Sequence, residues 1–126
     1  MMTKSAQTLF FFAIYLFGLG AILLVAPNWL LGLLDLAPTT EVWIRVVGML
    51  AIFLGVYYVI AARANFLRML EASVRVRVAV PLFFGAFVAL GWAPATLLLF
   101  AGVDLAGAMW TYFTLRSELG AKASTT

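Results

Sequence analysis

A chain of 126 residues, 66% apolar and only 10% charged, carries a net charge of +3 and contains neither cysteine nor histidine. A soluble domain carries about 25% charged residues, so a water-borne fold of this length would leave apolar surface uncovered, whereas a bilayer would solvate it. Without those two residue types there is no disulfide framework, no thiol chemistry, no usual ligand for haem, copper or zinc and no usual general base. No metal, cofactor or nucleic-acid partner is therefore expected.

The first apolar run, Leu9 to Pro27, is about 19 residues, enough to cross a core about 30 Å thick. Lys4 precedes it, as in a signal peptide, but the run exceeds a typical signal core and Leu24-Val25-Ala26-Pro27 is a poor cleavage site, so it reads as a retained anchor. Pro27-Asn28 then opens Trp29 to Leu36, with Asn28 as N-cap and Pro38 closing the segment. This stretch is too short to span and too apolar to float in water. It predicts an interfacial helix over about 28–36 that lies flat or caps the bundle.

The second run, Val42 to Ala62, is interrupted only by Arg45 and is again a full span. The third, Val78 to Leu115, would be about 57 Å long as one helix, nearly twice the hydrocarbon core, and must fold back. Gly91-Trp92-Ala93-Pro94 is the place, since glycine ends helices and proline suits the first turn of the next. The expected architecture is an all-α membrane protein, one domain over residues 1–126. It has four transmembrane helices at about 7–26, 42–63, 74–91 and 94–116.

Orientation follows from the cations. Arg63, Arg68, Arg75 and Arg77 lie in or beside the loop after the second helix, and Lys4, Arg116 and Lys122 lie in the tails. The positive-inside rule puts both termini in the cytoplasm. Trp29, Trp43 and Trp92 fall at the opposite mouth, as an aromatic belt would, while Tyr57, Tyr58, Trp110 and Tyr112 lie toward the cytoplasmic side. Those four aromatics are read first as interface anchors and second as lining for a ligand cavity. The arginine-rich loop is read first as a topology signal facing anionic lipid head groups. A pocket for an anionic head group or metabolite using Arg63, Ser73, Arg75 and Arg77 is the alternative.

Small residues recur at close-packing spacing in Ala51/Gly55, Gly85/Ala89 and Gly102/Ala106. The expectation is packing inside the bundle; a docking face for another membrane protein or a second copy is the alternative. Asp104 needs a reason, because an acid near the bilayer midplane costs roughly 2.5–3.5 kcal/mol on insertion scales. Arg45 is its expected partner, joining the second helix to the fourth. The competing reading makes Asp104 a proton or cation site, or the anchor for a polar ligand.

The stretches Trp43-Ile-Arg45-Val-Val-Gly48, Gly55-Val-Tyr57-Tyr58-Val-Ile-Ala61-Ala62-Arg63, Ser73-Val-Arg75-Val-Arg77 and Val103-Asp104-Leu-Ala-Gly107-Ala108-Met-Trp110-Thr111 carry a family resemblance. Together they resemble the small bacterial four-helix membrane proteins grouped as BphX-like, related in architecture to the DoxX-like proteins. The resemblance spans Pro27 to about Leu115. It implies a bacterial inner-membrane protein in which Arg45, Tyr58, Arg63, Arg75 and Asp104 belong to a shared pattern, and it supplies no activity.

Three function classes follow. Small size and few chemical groups favour an accessory or structural subunit that meets a larger membrane complex through its outer faces. The alternative is a binder or carrier of a small hydrophobic or amphipathic molecule, oriented by Asp104, Arg45 and the tyrosines. An apolar cavity containing Asp104 would favour the second class, and a filled core would count against it. An enzyme ranks last, since no nucleophile–base set or phosphate loop can be assembled.

Overall fold

The protein, seen in a computed structural model, is described over residues 1–124, with side chains to Ala121. Lys122, counted above with the basic tail, lies outside the residues whose side chains are described. The fold is all-α: α1 Lys4–Val25, α2 Pro27–Leu33, α3 Trp43–Arg63, α4 Leu67–Ala89, a 3₁₀ turn Ala95–Leu97, and α5 Leu98–Ser124. Among the described residues, α1, α3, α4 and the turn with α5 make four helices long and apolar enough to cross a membrane.

Local chemistry sets most boundaries. Thr3 caps α1, its side chain accepting from the Ala6 N–H. Pro27 stands in the first turn of α2, where its missing N–H is no loss. Asn28 does not cap that helix, as its sequence suggested, because the cap position is Ala26. Its amide instead brackets the loop: Oδ1 accepts from Thr39 N at 2.9 Å and Nδ2 donates to Thr39 O at 3.1 Å. The fold-back between α4 and α5 occurs where expected. Gly91 takes φ +77°, the left-handed conformation that lets Trp92 N close on Phe87 O at 2.9 Å. The third span departs from expectation at its other end, beginning at Leu67 rather than near residue 74. Nothing between Leu67 and Val80 breaks a helix, so Arg68 and Arg75 ride on its exposed face rather than in a loop.

In cross-section the helices lie in the order α3, α1, α5, α4. Helix α1 packs along α3 and along α5, α4 packs along α5, and the consecutive helices α3 and α4 scarcely touch. The α1–α3 crossing is set by Gly20 and Gly48, where a Cβ on Gly20 would stand 2.5 Å from the Gly48 carbonyl oxygen. Gly55 packs on Phe17 and the Ala13 carbonyl in the same seam. The other small-residue positions behave differently. Gly85 and Gly102 meet nothing within 4 Å, so those two pairs do not serve close packing inside the bundle as the spacing suggested.

The two ends of the molecule differ. At the basic end, Asn65 follows α3 with φ +51° and binds the start of the chain: Thr3 N donates to its Oδ1 at 2.8 Å, and its Nδ2 donates to Met1 O at 2.9 Å. There too, Glu118 of α5 accepts from Ser5 N at 2.9 Å and from Ser5 Oγ at 2.6 Å. A carboxylate from another helix thus satisfies an orphan N–H in the first turn of α1, where the helix dipole favours negative charge. At the opposite end α2 buries Leu31, and Leu34 just beyond it is also buried. The Leu34 carbonyl accepts from Thr96 Oγ1, fastening this cap to the turn that precedes α5.

A candidate ligand cavity over a buried arginine

Beneath α2 lies a cavity of about 220 Å³. Leucines make most of its wall, contributed by α1 (Leu16, Leu19, Leu23) and by the α2 region (Leu30, Leu31, Leu34). Ile44 and Val47 of α3 face it from one side and Phe84 of α4 from the other. Because α3 and α4 are not closed against each other, the cavity occupies the trough between the two helix pairs. Asp104 of α5 is the single charged residue in the lining, and Tyr15 supplies the phenol.

The structure does not bring Asp104 to Arg45. Arg45 sits in the first turn of α3 and its Nη1 donates to the Leu24 carbonyl at the end of α1, an unpaired helix C-terminal acceptor that suits a guanidinium. The charge of Asp104 acts instead on Arg77, Tyr58 and Tyr15. Arg77, which its sequence position places with the basic loop, points into the protein and is 2% exposed.

Arg77 is held by Ser73, which the sequence sets beside it, and by Thr111, which the sequence did not single out as a partner. Its Nη2 donates to Thr111 Oγ1 at 2.8 Å and to Ser73 Oγ at 3.2 Å, and its Nε donates to Ser73 O at 3.3 Å. Thr111 Oγ1 lies 2.6 Å from Thr8 Oγ1, which shares a hydrogen bond with it, and Thr8 Oγ1 also lies 2.6 Å from Ser5 O. The guanidinium stands over the Phe12 ring, 4.7 Å from its centroid. With Glu118 on Ser5, polar contacts run from the basic end along the α1–α5 seam to Arg77, just below Asp104. One atom is left over: Nη1 of Arg77 is buried and has no hydrogen-bond partner among the described residues.

The remaining candidates scatter. Tyr58 is buried against Phe12, with ring centroids 6.2 Å apart. Tyr57 is exposed, and Trp110, also exposed, stacks on Phe11 at 6.1 Å. Tyr112 borders a separate open groove of about 670 Å³ between α4 and α5, with Arg75, Arg116 and Glu71. The four aromatics therefore do not share a cavity. Arg63 is exposed at the end of α3, and Ser73 is buried under Arg77, so the four polar residues proposed for an anion pocket do not converge. Compared with known proteins, the chain matches no family model, no curated protein and no solved structure.

Proposed function

We propose that this protein binds a compact, membrane-soluble molecule in the cavity beneath α2, with its apolar body among the leucines and its polar end at Asp104. The carrying observation is the leucine-walled cavity whose only charged lining residue is Asp104. An apolar cavity of about 150 Å³ stays dry and admits benzene, so about 220 Å³ suits a substituted single ring, two fused rings or a short chain rather than a lipid. The trough between α3 and α4 supports entry sideways from the bilayer, where such a compound concentrates.

The test uses the full chain in lipid nanodiscs, with naphthol fluorescence corrected against empty discs. Saturable binding at one site is expected, weakened about 10-fold or more by Asp104→Leu, which deletes the polar anchor. Val47→Phe should weaken it similarly by filling the cavity from a position that is half lipid-exposed. No saturable binding, or binding indifferent to both substitutions, would refute the proposal.

The accessory-subunit reading keeps one specific support: Gly102 and Ala106 are exposed on α5 with nothing of this chain against Gly102. Extraction from the native membrane followed by mass spectrometry separates the readings, through a stoichiometric protein in one case and a small molecule in the other.

Placement in a bacterial inner membrane with both termini cytoplasmic belongs to the same proposal. It is supported by the BphX-like motifs and by the exposed Lys4, Arg63, Arg68, Arg75 and Arg116 around one end. In this cysteine-free chain, single cysteines at Asp35 and Ser117, both exposed, should react with a membrane-impermeant thiol reagent from opposite sides. Ser117 should be reached only after the cells are opened. Labelling of both from one side would overturn the topology.

A further inference from the structure

The open groove between α4 and α5 lies at the basic end, away from the cavity beneath α2, and carries apolar and charged surface side by side. Val74 of α4 and Tyr112, Leu115 and Leu119 of α5 make the apolar part, and Arg75, Arg116 and Glu71 the charged part. Helical spacing gathers them: Glu71, Val74 and Arg75 stand at i, i+3 and i+4, and Tyr112, Leu115, Arg116 and Leu119 at i, i+3, i+4 and i+7. Arg77 bridges Ser73 to Thr111 and so sets those two at a common depth. Arg75 is two residues from Ser73 away from the basic end, and Arg116 is five from Thr111 toward it, hence about 10 Å apart along the axis. The helices are antiparallel and each Cα–Cβ bond tilts toward its own helix N-terminus, so the two arginine side chains set out toward each other. Both arginines are exposed, and among the described residues neither forms an ion pair or hydrogen bond, with Glu71 or with any other group.

Resting on the membrane placement above but not on the cavity beneath α2, we infer that this groove binds one anionic phospholipid. Its phosphodiester sits between Arg75 and Arg116, and its glycerol and upper acyl chains lie against Val74, Leu115 and Tyr112. Charge selects the class. Two guanidinium groups against one carboxylate leave a single positive charge in the groove, which a phosphodiester monoanion cancels and a zwitterionic head group does not. Guanidinium forks pair with phosphate oxygens through parallel charge-assisted hydrogen bonds. The apolar wall selects a lipid over a soluble anion. Free phosphate would meet the arginines and leave Tyr112 and Leu119, both 41% exposed, uncovered. A phospholipid covers both, and its chains continue into the bilayer past Tyr112, the α5 lining residue farthest from the basic end. The groove, about 670 Å³, takes the head group and upper chains while the rest of the lipid stays in the membrane.

The test titrates the purified full chain in non-ionic detergent with dioctanoyl phosphatidylglycerol, phosphatidylethanolamine or phosphatidylcholine, and with inorganic phosphate. Native mass spectrometry counts the molecules bound per chain. One phosphatidylglycerol per chain should saturate, at least about 10-fold tighter than either zwitterionic lipid or phosphate. Arg75→Gln and Arg116→Gln should each weaken it about 5-fold. Arg63→Gln removes the same charge from the far side of the bundle, at the end of α3, and should change it less than about 2-fold. Glu71→Gln, which removes the groove's own anion, should tighten it about 3-fold or more, a gain that a misfolded variant cannot mimic. Equal uptake of the zwitterionic lipids, or equal loss with Arg63→Gln, overturns the site in favour of unspecific or diffuse attraction. Phosphate binding as well as the lipid overturns the choice of occupant, and a lipid-free dimer assigns the groove to a second copy. The thiol labelling decides topology separately, so a negative result here overturns this site alone.

Discussion

Gly48→Ala should destabilise the protein by about 2–3 kcal/mol, a large loss for one methyl group. The added Cβ would lie 2.7 Å from the Gly20 carbonyl oxygen, 2.9 Å from Leu23 Cβ and 3.1 Å from Leu24 N. Two of these neighbours are backbone atoms, which cannot swing aside as a side-chain tip would. Relief requires α1 and α3 to separate, and separation forfeits dispersion contacts along the whole seam. In lipid that cost is not offset by a hydrophobic drive, since the tails are as apolar as the leucines. Gly20→Ala should behave alike, because its Cβ would meet the Gly48 oxygen at 2.5 Å. Gly102→Ala, with nothing within 4 Å, should be neutral or stabilising by about 0.5–1 kcal/mol through helix propensity. Denaturation in mixed detergent, followed by loss of helix–helix contact, measures all three. Equal tolerance of alanine at Gly48 and Gly102 would refute this account of the crossing.

Arg77→Met should cost about 1–3 kcal/mol, because it removes a buried cation whose charge acts on Asp104 together with the hydrogen bonds that Arg77 makes to Thr111 and Ser73. Part of that loss should return in the double variant Arg77→Met/Asp104→Asn. The coupling in the cycle should be about 1 kcal/mol or more, well above the scatter of independent sites. The matching cycle with Arg45→Met and Asp104→Asn should be additive, since Arg45 binds the Leu24 carbonyl. If coupling appears with Arg45 and not with Arg77, the assignment of the charged pair is wrong.

The contrast between these two arginines shows what was legible in the sequence. The four spans, the short helix after Pro27 and the reversal at Gly91 follow from hydropathy, length and turn chemistry, which act over neighbouring residues. The partner of Asp104 does not. Both arginines lie at the rim of an apolar run, and an arginine there either snorkels to water or turns inward. Which it does depends on what the facing helix offers. A signal for the inward choice was present: Asp104, Thr111 and Glu118 recur every seven residues and so share one face of α5, Ser5 and Thr8 share a face of α1, and Ser73 and Arg77 share one of α4. Such a polar stripe in an apolar helix marks the protein-facing side. The Gly20–Gly48 crossing was less legible, because small-residue spacing within one helix does not say which glycines meet across two, and Gly85 and Gly102 carry the same spacing with nothing opposite.

The cross-sectional order of the helices bears on how the chain is assembled. Helices α1 and α3 form one antiparallel pair, α4 and α5 another, and each pair is closed by neighbours in sequence. Once its second span has left the translocation machinery, the first pair can be complete while the rest is still being synthesised. The second hairpin then docks as a unit, and α5 must find α1 rather than α3. What tells it where to stop is the polar seam: Thr8 with Thr111, and Ser5 with Glu118. A slip of one turn along α5 would part Thr8 from Thr111 and Ser5 from Glu118, so Thr111, which holds Arg77 within the second hairpin, also fixes the register of late assembly.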